Sequence, residues 1–202
     1  IVGILTALYQ RQTTGLGQVV DVSLFETAAS WVSLLAAQVL ASGQVTPKQG
    51  SGSPGIVPYK GYATADGEVV VAAGSDALFR SLAKVLGHPE WVDDPRFNNN
   101  PARVAHANEL YGMIDALMLE RPSAYWIEAL EAAGVPCAPV NNLQQMMAHP
   151  QTEALGLVQD VPGTGMRFMG LPISFNGQRP HPLSAPPTLG QHNELLKTRI
   201  TP

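Results

Sequence analysis

Thr14-Gly15-Leu16-Gly17-Gln18-Val19-Val20-Asp21-Val22-Ser23-Leu24 reads as a helix end, a glycine turn and a strand in quick succession. Residues 18–23 are short, β-branched and led by glycines, the pattern of a strand buried on both faces. Upstream of it, Ile1, Ile4, Leu5 and Leu8 lie at helical spacing, and the run closes in Gln10-Arg11-Gln12-Thr13-Thr14 before Gly15, a glycine stop. The first residues read as a helix already under way, so a helix is expected to enter from upstream of residue 1. Downstream, Phe25, Ala28, Ala29, Val32, Leu35, Ala36 and Val39 return to the helical period, which predicts one helix over residues 24–41.

Past that helix the composition changes to Gly, Ser, Pro, Gln and Lys over residues 42–58, the signature of a connecting loop and a domain boundary. Residues 62–64 and 68–73 then flank Ala65-Asp66-Gly67 and predict a hairpin whose Asp-Gly supplies the positive φ of a tight two-residue turn. Helices are expected over 76–86, 104–119 and 123–133, the last between Pro122-Ser123 and Gly134. Val135-Pro136-Cys137-Ala138-Pro139-Val140 is too rich in proline for a central strand and reads as an edge or a strap. A short helix over 143–148, strands at 157–161 and 167–171, a proline-rich stretch over 172–187 and a final helix from Gly190 are expected to complete the chain.

Composition narrows the function. The 202 residues are 45 % hydrophobic and 14 % charged, with a formal net charge of −4, enough chain for a sizeable core. The basic residues are scattered, which argues against a nucleic-acid face. Cys137 is the only cysteine, so no internal disulfide forms, as in a reducing compartment. With no secretory signal pattern and no apolar run of membrane-spanning length, a soluble cytoplasmic protein is expected.

Gly50-Ser51-Gly52-Ser53-Pro54-Gly55 matches the G-x-G-x-x-G dinucleotide pattern letter for letter and fails on context. That fingerprint needs a strand before it and a helix start after it, whereas here a polar loop precedes and Ile56-Val57-Pro58-Tyr59 follows. A mobile glycine loop near a reactive centre fits better, because backbone amides without β-carbons approach a ligand closely; a plain inter-domain linker is the simpler alternative. The five histidines show no metal-ligand spacing, and no metal site is expected. Cys137, between Pro136 and Ala138, reads as a packing residue rather than a nucleophile. Asp93, Asp94 and Asp115 read as turn and helix-surface carboxylates.

The order of segments nonetheless resembles the class III CoA-transferases, the CaiB/BaiF family with its acyl-CoA racemase relatives. Gly3-Ile4-Leu5-Thr6-Ala7-Leu8 with Arg11 and the stretch from Thr14 to Leu24 resemble the family's central helix-turn-strand element. Ile56-Val57-Pro58-Tyr59, Thr64-Ala65-Asp66-Gly67, Ala73-Gly74-Ser75-Asp76 with Phe79, Asp93-Asp94-Pro95-Arg96-Phe97, the run from Ala133 to Val140, and Leu189-Gly190-Gln191-His192 follow in family order. The series carries the resemblance; each match alone is weak.

The resemblance implies an α/β fold: the C-terminal part of a Rossmann-like large domain with a small α+β domain. Residues 1–42 would be a helix-strand-helix remnant of the large domain, 43–60 a glycine-rich linker, 61–148 the small domain and 149–202 an extended return segment. It implies interlocked homodimers, no covalently bound cofactor, and coenzyme A or acyl-CoA with a carboxylic acid as substrates, with no nucleic acid or membrane as partner. The nucleophilic aspartate of the family would lie about three helical turns before Gly3, upstream of this chain, so the chain by itself is expected to be inactive although its parent is an enzyme. Leu24 matches a position that touches CoA, and Gly50, Ser51, Gly52, Ser53 and Pro54 match the glycine-rich loop over the reacting centre. Relatives carry Asn and His where Ser51 and Ser53 stand, which leaves backbone roles for this loop. For an α-methylacyl-CoA racemase, the alternative within the fold, Asp76 would be the acid-base residue; its other reading is a helix N-cap. An inactive fragment or non-catalytic module is the alternative outside enzymology.

Overall fold

The computed structural model of the chain describes every residue except 46, 49, 182, 183 and 200–202. The chain falls into two compact units, Ile1–Lys60 with Ala72–Tyr111 and Gly61–Val71 with Gly112–Pro202. In the first, helix α1 (Val2–Thr14) ends at Gly15, whose φ of 73° lets its N–H reach the Arg11 carbonyl at 2.8 Å, a left-handed termination that a β-carbon would disfavour. Residues 18–23 form no strand. A ladder needs a neighbouring backbone, and no other segment among the described residues pairs with this one. Its last residue becomes a cap instead: Ser23 Oγ accepts from the Glu26 N–H at 3.1 Å and donates to the Glu26 carboxylate at 2.6 Å, starting helix α2 (Leu24–Trp31).

The single helix expected over 24–41 is two. Helices α2 and α3 (Ser33–Ser42) meet at Val32 with a 71° bend. Ahead of the break, Thr27 Oγ1 donates to the Ser23 carbonyl at 2.9 Å and Ser30 Oγ to the Thr27 carbonyl at 2.7 Å. Hydroxyls that draw on ladder carbonyls bend helices. Among the described residues no single helix is long and apolar enough to cross a membrane. Helices α1–α3 bury none of their residues, and Leu24, Phe25 and Trp31 are 91 %, 83 % and 82 % exposed. A helix this apolar and this uncovered presents an interaction surface.

The core of the first unit begins at Val57 and Ala73 and continues in helix α4 (Asp76–Val85), which buries Phe79, Leu82 and Ala83 on one stripe. Ser75 caps it, its Oγ accepting from the Leu78 N–H at 3.2 Å. The N-cap reading of Asp76 is therefore one residue late. A 3-10 turn (Pro89–Val92) follows, with the His88 ring stacked on Trp91 at 4.7 Å and Trp91 edge-on to Phe97 at 6.4 Å. The helix expected over 104–119 starts earlier and breaks at His106 into α5 (Asn100–Ala105) and α6 (Ala107–Met118). Asn99 caps α5 through the Ala102 N–H at 2.9 Å, and Pro101 occupies its first turn.

On the surface of this unit Arg96 bonds Asp94 through its side chain and backbone and also pairs with Glu109. The Arg96 side-chain hydrogen bonds, then its backbone N–H, hold the Asp94 carboxyl down to about 2 from 3.8. A carboxyl depressed in the folded state adds stability that is full above its ordinary pKa and fades as pH falls towards the folded value. The urea midpoint of the chain is expected to decline between pH 5 and pH 2, and Asp94→Asn to flatten part of that decline. Parallel profiles for the two proteins would contradict the assignment.

Strands β1 (Tyr59–Ala63), β2 (Glu68–Ala72) and β3 (Cys137–Pro139) form one sheet in that order. In the second unit β3 pairs antiparallel with β2, Val69 opposite Pro139 and Val71 opposite Cys137, so the proline-rich segment is an edge strand as its composition requires. The β1–β2 turn is not the positive-φ type expected from Asp-Gly, since neither Asp66 nor Gly67 has positive φ. The Thr64 N–H instead meets the Gly67 carbonyl at 2.9 Å, and the Thr64 hydroxyl lies 2.7 Å from that of Ser123. The Ser123 N–H donates to Asp66 at 2.7 Å and is the main cause of that carboxyl's lowered pKa. A β-carbon on residue 67 would stand 3.1 Å from Ser123 Oγ, so close approach accounts for the glycine.

Helix α7 (Ser123–Ala132) buries Trp126 and Leu130, and the Trp126 indole donates to the Met118 carbonyl at 2.8 Å. Helix α8 (Leu143–Met147) opens on a capping box of Asn142 and Gln145. Helix α9 (Pro150–Ala154), in a stretch expected to be extended, is capped by His149 Nδ1. Strands β4 (Val158–Asp160) and β5 (Arg167–Met169) pair antiparallel, and α10 (Asn193–Arg199) is the final helix. Its continuation to the C-terminus and part of the proline-rich stretch lie outside the described residues.

Candidate active site loop and the buried arginine beneath it

The glycine-rich segment folds as a tight turn rather than a helix start. Gly50 has φ of 60°, Ser53 forms a bridge with Ile56, and the Ser53 N–H reaches the Tyr59 carbonyl at 3.3 Å. No helix follows it, so the geometry of a dinucleotide fingerprint is not there. Ser53, Pro54 and Val57 form one wall of a cleft of about 440 Å³, and His106, Asn108, Glu109 and Tyr111 lie among the residues of the other. Pro54 also borders a second cleft of about 470 Å³ with Gln38, Ala41, Val45 and Pro47. The loop thus lies between two hollows within one unit, with Pro54 bordering both. Tyr111 carries a phenol whose pKa is pushed up by burial, and the Lys60 ammonium sits 5.1 Å from its ring centre.

The loop's exit is fixed from below by residues that composition and spacing did not single out. Arg103 is fully buried. Its Nε donates to the Val57 carbonyl at 2.7 Å, Nη1 to the Phe97 carbonyl at 3.0 Å, and Nη2 to the Gly74 carbonyl at 2.8 Å and to Asp76 Oδ1 at 2.9 Å. Its guanidinium also lies 4.5 Å from the centre of the Phe79 ring. An arginine survives burial only when its fork of donors is used in this way. Asn100, one turn earlier on the same face of α5, donates Nδ2 to the Gly55 carbonyl at 2.9 Å and accepts the Val57 N–H at 3.1 Å.

Of the residues expected at the site, Ser53 and Pro54 border the clefts, whereas Gly50, Ser51 and Gly52 line neither. Asp76 reaches the same loop through Arg103, as that residue's ionic partner on the first turn of α4. Leu24 stands on the first turn of α2 and lines neither cleft. Arg103 had one visible signal: a lone charge among Ala102, Val104 and Ala105 just after the cap sequence Asn98-Asn99-Asn100-Pro101. Cys137 is half-buried, with its thiol pushed up by burial and by Glu131 and its Sγ 3.9 Å from the Ile127 carbonyl. A thiol held protonated is a poor nucleophile, in line with packing.

Comparison with known proteins gives a consistent result. The model of CoA-transferase family III matches residues 1–193. The chain is 36 % identical over 200 residues to an acyl-CoA transferase of Fusarium pseudograminearum, covering 96 % of this chain and 44 % of that protein. It is 32 % identical to the human succinyl-CoA:glutarate CoA-transferase, covering 96 % and 45 %. Among solved structures, a CaiB/BaiF family protein from Brucella suis superposes with a TM-score of 0.83 at 30 % identity, over 98 % of this chain and 52 % of that one. The chain spans about half the length of the curated relatives it matches. The mixed helix-and-strand architecture is that of the CaiB/BaiF proteins, and the chain belongs to CoA-transferase family III.

Proposed function

We propose that this chain is the C-terminal half of an enzyme that moves CoA between an acyl-CoA thioester and a carboxylic acid. The observation that carries the reading is the family match across residues 1–193. The relatives' names point to dicarboxylic acids as the substrates to try first: succinate, glutarate, oxalate, citramalate and mesaconate appear among them. The nucleophile is an aspartate upstream of residue 1. Its carboxylate attacks the thioester carbonyl, releasing CoA thiolate and leaving a mixed anhydride. The thiolate then attacks the aspartyl carbonyl, giving an enzyme thioester and the free donor acid. The acceptor carboxylate reverses the sequence and leaves with CoA. Splitting the exchange this way replaces one difficult displacement with easier ones.

In this reading the tip at Gly50 to Pro54 lies over the reacting carbonyl, where the Gly50 and Gly52 N–H groups stabilise the oxyanion of each addition step; the Ser53 N–H is given to Tyr59 and Pro54 has none. Asp76 serves as the ionic partner of Arg103. The uncovered faces of α1–α3 pack against the rest of a protein about twice this length and against a second copy. Succinyl-CoA is added to the encoded protein, borohydride follows, and the peptides are mapped by mass spectrometry. Conversion of one aspartate upstream of residue 1 to homoserine is expected, and this 202-residue chain treated alike is expected to show none. A reduced carboxyl inside residues 1–202, or turnover by this chain alone, would overturn the assignment.

A further inference from the structure

We infer that Asn100 is a positioning residue for the glycine-rich loop, setting where the tip's backbone lies without touching substrate; the inference rests on the function proposed above. One carboxamide meets both sides of Ile56, donating to the Gly55 carbonyl at 2.9 Å and accepting from the Val57 N–H at 3.1 Å. Those two groups belong to consecutive peptide units, so a single side chain fixes the backbone of residues 55–57 in one conformation. Two neighbours reinforce it. Arg103 Nε takes the Val57 carbonyl at 2.7 Å, and the Ile56 side chain runs into the space left at Gly74 by the missing β-carbon.

Above this clasp stands a tip of different character. Gly50, Ser51, Gly52, Ser53 and Pro54 carry little side chain, and Gly50 sits at positive φ with open space around its α-carbon. The tip joins its base through the Ser53–Ile56 bridge and the Ser53 N–H bond to the Tyr59 carbonyl, and Asn100 holds that base. The position of the tip beside the clefts that Ser53 and Pro54 border, and with it the aim of the Gly50 and Gly52 amides, is therefore set from α5. Donors aimed at a developing oxyanion act only when they are held in place beforehand. Loosening the base should affect the bond-making steps and leave the binding of the CoA moiety as it was.

The test uses Asn100→Ala and Asn100→Asp in the encoded protein, with two readouts. Hydrogen–deuterium exchange is followed over residues 50–58, and kcat and KM are measured for succinyl-CoA. For the alanine variant, which loses both hydrogen bonds, exchange in 50–58 is expected to rise at least about tenfold, the scale of two net hydrogen bonds lost together, with unchanged exchange in α7. Its kcat is expected to fall roughly 10²-fold, the scale of one misplaced oxyanion donor, with KM within about twofold. The aspartate variant keeps the acceptor for the Val57 N–H and loses the donor to Gly55, so its exchange is expected to lie between. Unchanged exchange in 50–58, a rise spread evenly over the chain, or an unchanged kcat would each overturn the inference. A wild-type protein that transfers no CoA would contradict the function, while the exchange measurement would still read the clasp.

Discussion

Arg103→Met is expected to remove most of the stability of the first unit. Methionine is close enough in bulk that little cavity opens, which isolates the loss of the donors. The Val57, Phe97 and Gly74 carbonyls would each lose a partner, and an unsatisfied buried group costs about 1–3 kcal/mol. After relaxation the total is on the order of 3–5 kcal/mol, a large fraction of a domain's ~5–15 kcal/mol. Arg103→Lys keeps the charge as a single compact point and reaches fewer of these acceptors, so an intermediate loss is expected. Urea denaturation followed by tryptophan fluorescence reads both, because Trp91 is buried against Phe97. A wild-type midpoint for Arg103→Met would mean that the four bonds stabilise nothing.

Gly74→Ala is the second large effect. Gly74 has no positive φ that would demand glycine; what demands it is Ile56. A β-carbon there would meet Ile56 Cγ2 at 1.9 Å and Ile56 Cβ at 3.3 Å. Turning the isoleucine about χ1 relieves the first contact and leaves the second, and β-branched side chains have few rotamers to turn to. Overpacking of this kind costs about 1–3 kcal/mol, and the loop exit would be pushed off Asn100 and Arg103. The companion change Ile56→Ala removes Cγ2, the severe contact, and leaves only the Cβ at 3.3 Å, so the double variant is expected to recover part of the loss, with a coupling of about 1 kcal/mol or more. Strict additivity of the two substitutions would contradict this contact.

What the sequence displayed and what it concealed divides along a physical line. Ser75-Asp76 followed by Phe79, Leu82 and Ala83 is a complete local instruction, a cap and an apolar stripe, and α4 forms where it says. Val135 to Val140 announces an edge strand through its prolines, and β3 is one. Val19-Val20-Asp21-Val22 is equally strand-like, yet a strand is a relation between two segments, and nothing among the described residues supplies the second. The turn at Asp66 failed as a reading because Ser123, far away in sequence, takes over the carboxylate that a local rule assigned to the turn. Arg103 and Asn100 stayed hidden for the same reason: their acceptors at 55, 57, 74 and 97 become neighbours only on folding. Family resemblance marked the loop itself, and the structure supplied what holds it.

The most direct test of the account is CoA transfer by the encoded protein. Succinyl-CoA is mixed with glutarate, oxalate, mesaconate or citramalate, and the CoA esters are separated and weighed by mass spectrometry. The account predicts a new thioester of one of these acids, formed in step with the loss of succinyl-CoA and without build-up of free CoA. Hydrolysis to free CoA alone, or exchange of the proton α to the thioester with solvent while no CoA changes partner, would contradict it.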